Sequence, residues 1–324
     1  MIVSRIEGGL GNQMFQYAYG WYLARRHRCP LQLDLQSYEA GPAHGYLLDK
    51  FQITAPAADP QTLQRLPRRY RPSLAGHDSG QRLAANGRAV GRWAVGRWAV
   101  GWRGLFRRRL RRHKESPFGF HPRHLRVGSG RYVVGYWQSA AFFPGIREEL
   151  LEQFRPRQPL SPRSQELWEL LRGTHSLALH VRRGDYRSDP AAAKLYYPVD
   201  EAYYRRVLES WARGATAAPR EPQVFIFSND MAWCRRKFDD LPWTTHFVDH
   251  TTAATAHEDM LLMSAAQCCA IANSTFSWWA AWLNPRADAV VYAPRPWFQP
   301  HTLDSRHIVP AEWQVVDARP AEAG

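Results

Sequence analysis

Cysteine, acidic side chains and long apolar runs are scarce in this sequence of 324 residues. The four cysteines show no Cys-x-x-Cys spacing, so no disulfide framework is expected. No apolar run approaches the roughly 20 residues that a membrane-spanning helix needs. The first residues also lack the ordered basic, apolar and cleavage regions of a signal peptide. These absences predict a globular protein of the reducing cytoplasm.

Basic residues outnumber acidic ones by 43 to 29, which gives a formal net charge of +14. Ten of the basic residues, and no acidic one, fall within residues 88–114, where the letters V-G-R-W-A recur. A period of five residues matches neither a helix nor a strand, so no regular structure is predicted for this segment. We interpret it as a solvated loop or as a contact for an anionic membrane surface. Stacking of its Trp residues on nucleic acid is an alternative, but the basicity belongs to one segment and no nucleic-acid partner is expected.

The alternation of apolar runs with helical patterns predicts an α/β protein with two domains. A strand at 2–6, a helix opening near Asn12 and a strand at 30–34 form a β-α-β start. Proline recurs between residues 156 and 162, so we divide the chain into domains 1–160 and 161–324, each a doubly wound parallel sheet. Further strands are predicted at 131–138, 177–181, 223–227, 245–249, 268–272 and 290–294, with a helix at 140–154.

Polar residues follow the predicted strands at four places, and ligands of open α/β sheets bind at that end of the strands. These residues are Asn12 and Gln13 in a glycine-rich turn that contains Gly11, His180 at the end of 177–181 with Arg182, Arg183 and Asp185 after it, Asp230 after 223–227, and Asn273, Ser274 and Thr275 at the start of the next helix. Adjacent guanidiniums are costly to hold together without an anion, and their planar forks suit phosphate. A helix N-terminus bearing hydroxyls suits phosphate as well.

Simpler interpretations exist for each stretch. The paired arginines and Asp185 could form a structural ion pair, and Arg-Gly-Asp alone matches a cell-adhesion signal. The glycine-rich turn could join strand and helix without a ligand, and Ser274 could simply cap its helix. Taken together, however, the stretches describe a cleft for a nucleoside diphosphate.

Metal and cofactor motifs are missing from the sequence. It contains no Walker motif, no Asp-x-Asp triplet and no recognisable zinc spacing. We therefore expect no metal and no cofactor, and we expect Arg182 with the helix amides to stabilise a departing diphosphate.

Three motifs in order along nearly the whole chain resemble those of the family 11 α-1,2-fucosyltransferases. They are G-G-L-G-N-Q-M-F-Q-Y-A from Gly8, H-V-R-R-G-D-Y from His180 and A-N-S-T-F-S-W-W from Ala272. The resemblance implies an inverting, metal-independent enzyme of the GT-B arrangement, with two Rossmann-like domains facing a cleft. It would transfer L-fucose from GDP-fucose to the 2-hydroxyl of a galactose-terminated glycan, in surface glycan or O-antigen synthesis.

The resemblance also implies roles for individual residues. Arg182 would hold the β-phosphate with support from His180 and Arg183, while Gly11, Asn12 and Gln13 would face the donor from the N-terminal domain. Asn273, Ser274, Thr275 and Phe276 would line the phosphate and nucleotide pocket, and Asp230 and Asp259 would contact ribose or guanine. An inverting transfer usually uses a base on the acceptor hydroxyl, for which we consider Asp185 first and Glu7 second.

The sequence departs from the family pattern at three places. Cys268 stands where members usually have His, and Ser228-Asn229-Asp230 replaces the usual S-D-D. Residues 88–114 have no counterpart. The first two departures bear on base and ribose contacts, and the third bears on localisation or access of the acceptor.

Overall fold

The computed structural model describes residues 1–39, 45–71, 109–184, 189–215, 220–299 and 303–319. Two parallel sheets organise these residues. The first has the order β2-β1-β4-β3 and is formed by β1 (Ile2–Arg5), β2 (Leu31–Asp34), β3 (Arg111–Lys114) and β4 (Arg131–Val134).

The second sheet has six strands in the order β10-β9-β8-β5-β6-β7, all parallel. Its strands are β5 (His175–Val181), β6 (Pro222–Ser228), β7 (Thr244–Val248), β8 (Cys268–Ala270), β9 (Val290–Arg295) and β10 (Gln314–Asp317). Every residue of β5 is buried, as expected for a central strand covered on both faces.

Helices connect and cover the strands. They are α1 (Leu10–Arg26), α2 (Pro60–Leu63), α3 (Arg147–Gln153), α4 (Pro162–Gly173), α5 (Pro190–Leu195), α6 (Glu201–Ala215), α7 (Met231–Phe238), α8 (Ala256–Ala265) and α9 (Thr275–Trp282). None of the helices in the described ranges is long and apolar enough to cross a bilayer.

Helix α1 joins the two halves of the molecule. Its sequence contains no proline and no β-branched residue, which favours a helix. Almost every residue from Leu10 to Ala24 is buried. The ring of Phe15 lies 4.5 Å from that of Trp278 and 4.9 Å from that of Trp279, both on α9. One continuous apolar cluster therefore extends from the first sheet to the second.

The structure corrects several predicted elements. Helix α1 begins at Leu10 rather than near Asn12. The helix predicted at 140–154 is split into a 3₁₀ turn, Ala140–Phe142, and α3, because Pro144 and Gly145, which has a φ of +73°, interrupt it. Strand β4 ends at Val134, four residues before the predicted end.

The basic segment contains regular structure at its end. Residues 111–114 form β3, an edge strand, although no strand was expected there. Leu110 reaches the core through its side chain. Residues 88–108 lie outside the described residues, and so do the contacts predicted for them. The sheets draw their strands from either side of residue 160, and the exact boundary stays a prediction.

Candidate active site

A cavity of about 540 Å³ opens where the two halves of the chain meet. From the first half it is lined by Gly9, Leu10, Gly11, Asn12, Gly45 and Leu47. From the second half it is lined by His180, Arg182, Ala192, Tyr196, Phe227, Ser228, Asn229, Thr251, Thr252, Ala253, Ala256, Asp259, Ser274, Thr275 and Phe276. The latter residues lie at or after the carboxyl ends of the adjacent strands β8, β5, β6 and β7, where ligands of such sheets bind.

Two helix N-termini converge on this cavity. Helix α1 begins after Gly9, which provides no side-chain cap, and α9 begins after Ser274. A Cβ added to Gly11 would lie 2.6 Å from the backbone nitrogen of Phe276. Only glycine allows this close approach of the two helices. The N-terminal amides and the positive ends of both helix dipoles therefore favour an anion in the cavity.

Arg182 and Arg183, in the turn after β5, have different surroundings. The Asn229 side-chain oxygen accepts hydrogen bonds from the backbone nitrogens of Arg183 and Gly184, at 3.0 and 3.1 Å. The Arg183 guanidinium lies over the ring of Trp233 at 4.4 Å, and its Nε is 3.5 Å from Asp230 Oδ2. Arg182 lines the cavity, whereas Arg183 is held beside it.

The Ser274 motif combines ligand-facing and structural residues. The Ser274 hydroxyl caps α9 by accepting from the Phe276 backbone nitrogen at 3.3 Å. Phe276 lines the cavity beside the buried His180, with 5.6 Å between ring centroids. Asn273 is fully buried and donates to the carbonyls of Tyr197 and Trp297, at 2.7 and 2.8 Å. It holds the backbone of the site together.

Asp259 is the one carboxylate among the described lining residues. Its Oδ2 accepts a hydrogen bond from the Thr251 hydroxyl at 2.8 Å, whereas its Oδ1 is buried and has no partner among the residues described. Burial raises the pKa of Asp259 to about 7. A donor group of a ligand would satisfy Oδ1 and favour the charged form.

Asn12 and Gln13 differ in what they contact. The Asn12 side-chain oxygen accepts from Gln138 Nε2 at 2.9 Å, and Asn12 lines the cavity. The buried Gln13 amide donates to the carbonyls of Gly8 and Gly45 and accepts from the Leu47 backbone nitrogen. Gln13 thus shapes the cavity wall but does not line it.

The predicted site residues fall into three groups. Gly11, Asn12, His180, Arg182, Asp259, Ser274, Thr275 and Phe276 line the cavity together. Glu7, Gln13, Arg183, Asp230 and Asn273 lie outside its lining, and Asp185 is outside the described residues.

Specific contacts explain why two predicted carboxylates do not line the cavity. Asp230 accepts from the Trp233 backbone nitrogen at 3.2 Å and thereby caps α7, besides contacting Arg183. Glu7 forms an ion pair with Arg5 at 2.8 Å. Both carboxylates therefore make structural contacts here, and their predicted roles stay predictions.

Sequence reasoning missed some lining residues. Thr251 and Thr252 follow β7, and Asn229 follows β6, at the same sheet edge as Arg182. Their position after a predicted strand was the available signal. Cys268 is buried in β8, in an apolar cluster of the second sheet that is distinct from the one containing α1, and it does not line the cavity. Within the described ranges no three His, Cys, Asp or Glu side chains are grouped as a metal site.

The chain is similar to known glycosyltransferases over nearly its full length. It is 30% identical to an α-1,2-colitosyltransferase of Escherichia coli, over 98% of this chain and 99% of that protein. It is 27% identical to the O-antigen biosynthesis glycosyltransferase WbnK of Escherichia coli, over 91% and 94% of the two chains. It is also 27% identical to the galactoside α-(1,2)-fucosyltransferase 2 of Oryctolagus cuniculus, over 86% of this chain and 65% of that one.

Structural similarity supports the fold. The fucosyltransferase NodZ from Bradyrhizobium superposes with a TM-score of 0.50 at 16% identity, over 88% of this chain and 92% of that one. The two α/β halves facing a cleft have the GT-B arrangement, as predicted. The sequence model of Glycosyl transferase family 11 matches residues 122–317, and together with the relatives it shows that this chain belongs to that family.

Proposed function

We propose that this glycosyltransferase transfers L-fucose from GDP-fucose to the 2-hydroxyl of a terminal galactoside, with inversion and without a metal. The observation that carries the proposal is the convergence of Arg182 with the N-termini of α1 and α9 on one cavity. These groups supply positive charge where a diphosphate leaves. Charge developing on a leaving group is a main target of enzymatic stabilisation.

The nucleoside part of the donor would occupy the cavity beside Asp259. Thr251 orients this carboxylate, and its buried Oδ1 would accept from a ribose hydroxyl or a guanine N–H. Phe276 offers an aromatic edge in the same pocket. A hydrogen bond to a charged carboxylate is stronger than one to a neutral oxygen.

The sugar of the donor has one strong alternative. An α-1,2-colitosyltransferase is among the relatives, and colitose is fucose without its 3-hydroxyl. A site that hydrogen-bonds that hydroxyl would reject colitose strongly, whereas a site without such a group would accept both sugars. GDP-colitose is therefore the second candidate donor.

The acceptor hydroxyl needs a proton acceptor or a well-stabilised leaving group. Glu7 and Asp185 are our candidates for the base. If one of them acts, replacing it with the amide lowers kcat and leaves the KM for the donor unchanged. If both variants keep kcat, leaving-group stabilisation drives the reaction.

The experiment incubates the purified protein with a β-galactoside and either GDP-fucose or GDP-colitose, in EDTA, and measures GDP release and product linkage by NMR. Arg182→Ala should lower kcat by about 10²–10³-fold, in the range of a lost oxyanion donor. Arg163→Ala is the matched control, since this exposed side chain pairs with Glu166 on α4. Absence of transfer from either donor, or dependence on added metal, would refute the proposal.

The expected place of this reaction is the cytoplasm. All four cysteines are unpaired thiols, which fits a reducing compartment. Surface glycan or O-antigen synthesis is the proposed process, since a relative carries that description.

A further inference from the structure

Three guanidinium groups surround a single tyrosine ring that packs against the first sheet. The Cζ atoms of Arg5, Arg69 and Arg112 lie 5.6, 5.0 and 5.7 Å from the centroid of Tyr70. Any two of these Cζ atoms are therefore separated by no more than about twice the longest of the three distances. The ring faces attract each cation, but like charges at this spacing repel each other.

Glu7 and Asp34 lie near this cluster and balance at most two of its three positive charges. Glu7 pairs with Arg5. Asp34 accepts from the Tyr132 hydroxyl at 2.7 Å and from Gln36, and its charge acts on Arg5 as well. Over the described ranges, no ion pair joins Arg69 or Arg112 to an acid, and Arg112 Nε is buried without a hydrogen-bond acceptor. A buried N–H without a partner is costly, so a ligand atom would find this donor ready.

The cluster is built into the sheet, because Arg112 is paired with Tyr132 across β3 and β4. Arg5 ends β1, the next strand after β4. The Tyr70 ring packs on that of Tyr132 at 4.9 Å. Val3 and Tyr132 lie in a small apolar cluster separate from the one that contains α1. The arginines therefore occupy the face of the first sheet turned away from α1.

Only a few residues of the chain separate this face from the cavity. Gly9, at the cavity, is four residues after Arg5, and four extended residues span at most about 14 Å. The Tyr38 hydroxyl ties this loop down by donating to the Gly8 carbonyl at 2.8 Å. A short oligosaccharide whose terminal sugar sits at the cleft would reach the three arginines.

We propose that the acceptor glycan carries an anionic group, a carboxylate or a phosphate, and that Arg5, Arg69 and Arg112 bind it. This inference rests on the proposed function, because it places a galactoside acceptor on the side of the first sheet. Planar guanidiniums suit either anion, since their forks engage two oxygens at once. The acceptor class is thus an acidic saccharide or a lipid-diphosphate-linked one.

The experiment compares three galactosides that differ next to the galactose. One carries neutral glucose, one carries glucuronate, and one is linked to a short polyprenyl diphosphate. The kcat/KM of each is measured for the wild type, Arg69→Gln and Arg112→Gln. Arg155→Gln is the control, because this exposed arginine pairs with Glu152 on α3. Arg69 is exposed, so its variant tests the site even if Arg112→Gln disturbs the fold.

We expect one charged acceptor to be preferred about tenfold or more over the neutral one, the effect of one charge-assisted hydrogen bond. Either arginine variant should remove this preference and leave the rate with the neutral acceptor unchanged. Preference for the glucuronate or for the diphosphate identifies the source of the anion. Equal kcat/KM for all three acceptors in an active enzyme overturns this inference but not the proposed function.

Failure of transfer with every donor and acceptor refutes the proposed function instead. In that case calorimetric titration with the galactosyl-glucuronate and with the diphosphate-linked galactoside decides the anion site: binding of either one that Arg69→Gln weakens supports it, and absence of binding of both overturns it. If the variants reduce binding to phosphatidylglycerol vesicles and leave acceptor preference unchanged, the cluster contacts membrane and the inference is wrong.

Discussion

Asp259 shows how burial sets the behaviour of a single residue in the cavity. Its pKa rises from 3.8 to about 7 because burial disfavours the charged carboxylate. At pH values between these two pKa values, the folded state thus keeps a proton on Asp259 that the unfolded state has released. Stability therefore falls as the pH rises from about 4 to about 7, and ligand donors to Asp259 would offset that loss.

Asp259→Asn should remove this part of the pH dependence, because the amide does not titrate. The measurement is the urea midpoint at a series of pH values across this window. Asp304→Asn is the control, since the Arg306 guanidinium holds the pKa of Asp304 at about 2, outside the window. In the wild type, GDP binding below the pKa of Asp259 should release a proton, detected as calorimetric heats that depend on the buffer. Buffer-independent heats would contradict contact between GDP and this carboxylate.

Neighbouring residues of one motif have different roles for a physical reason. Arg182 and Arg183 are chemically identical, but Trp233 and Asp230 hold the second. Ser274 and Asn273 are both small polar residues, but only Ser274 reaches the cavity. Contacts with residues distant in sequence decide which side chain lines the cavity.

Among the elements, α1 and α9 have the closest functional relation. Their N-termini meet at Gly11, where a side chain would come under 3.0 Å from the backbone of Thr275 and Phe276. Backbone atoms of two buried helices have little room to move apart. The geometry of the anion site thus depends on the absence of a side chain at Gly11.

Gly11→Ala should separate the two helices, with a cost of about 1–3 kcal/mol in the free energy of unfolding. Affinity for GDP should fall as well, because the amides of both helices no longer point at one spot. Urea unfolding and GDP titration measure the two effects. Gly214→Ala on α6 is the control, since no atom of the described residues outside its own stretch of helix lies within 4 Å of its added Cβ and alanine favours a helix. An unchanged affinity for GDP in Gly11→Ala would contradict a joint role of the two helices.

At the scale of the whole molecule, one large apolar cluster is shared by the two sheets. Phe15 on α1 packs against Trp278 and Trp279 on α9, and Phe143 stacks on Trp279 at 5.7 Å. An interface of this kind couples the halves strongly, unlike the more polar contacts of mobile domains. We therefore expect the halves to unfold together.

Phe15→Ala should lower the free energy of unfolding by about 3–5 kcal/mol, as for other large buried aromatics. Far-UV circular dichroism and Trp fluorescence should still report one coincident urea transition, shifted to lower concentration. Phe118→Ala is a useful comparison, because Phe118 is only partly buried and contacts Phe298 instead. Two separate transitions in the wild type would contradict a shared core.

The sequence by itself determined the order of most elements and the chemistry of the cleft. Local periodicity identifies strands and helices, and parallel strands bring the residues after them to one edge of a sheet. This reasoning placed Arg182, Ser274 and Thr275 at one site, and the family resemblance added Phe276 and Asp259. It missed β3, whose four residues are all basic or His, and β10, a short exposed edge strand, because neither has an apolar run.

Only the tertiary structure decided which residue of each motif faces the cavity. Asn229 holds the arginine turn from 46 residues away, and the approach of Gly11 to Thr275 joins two distant motifs. The grouping of Arg5, Arg69 and Arg112 around Tyr70 is likewise invisible along the chain. Side-chain direction, burial and charge balance depend on packing between distant segments, which local sequence patterns do not encode.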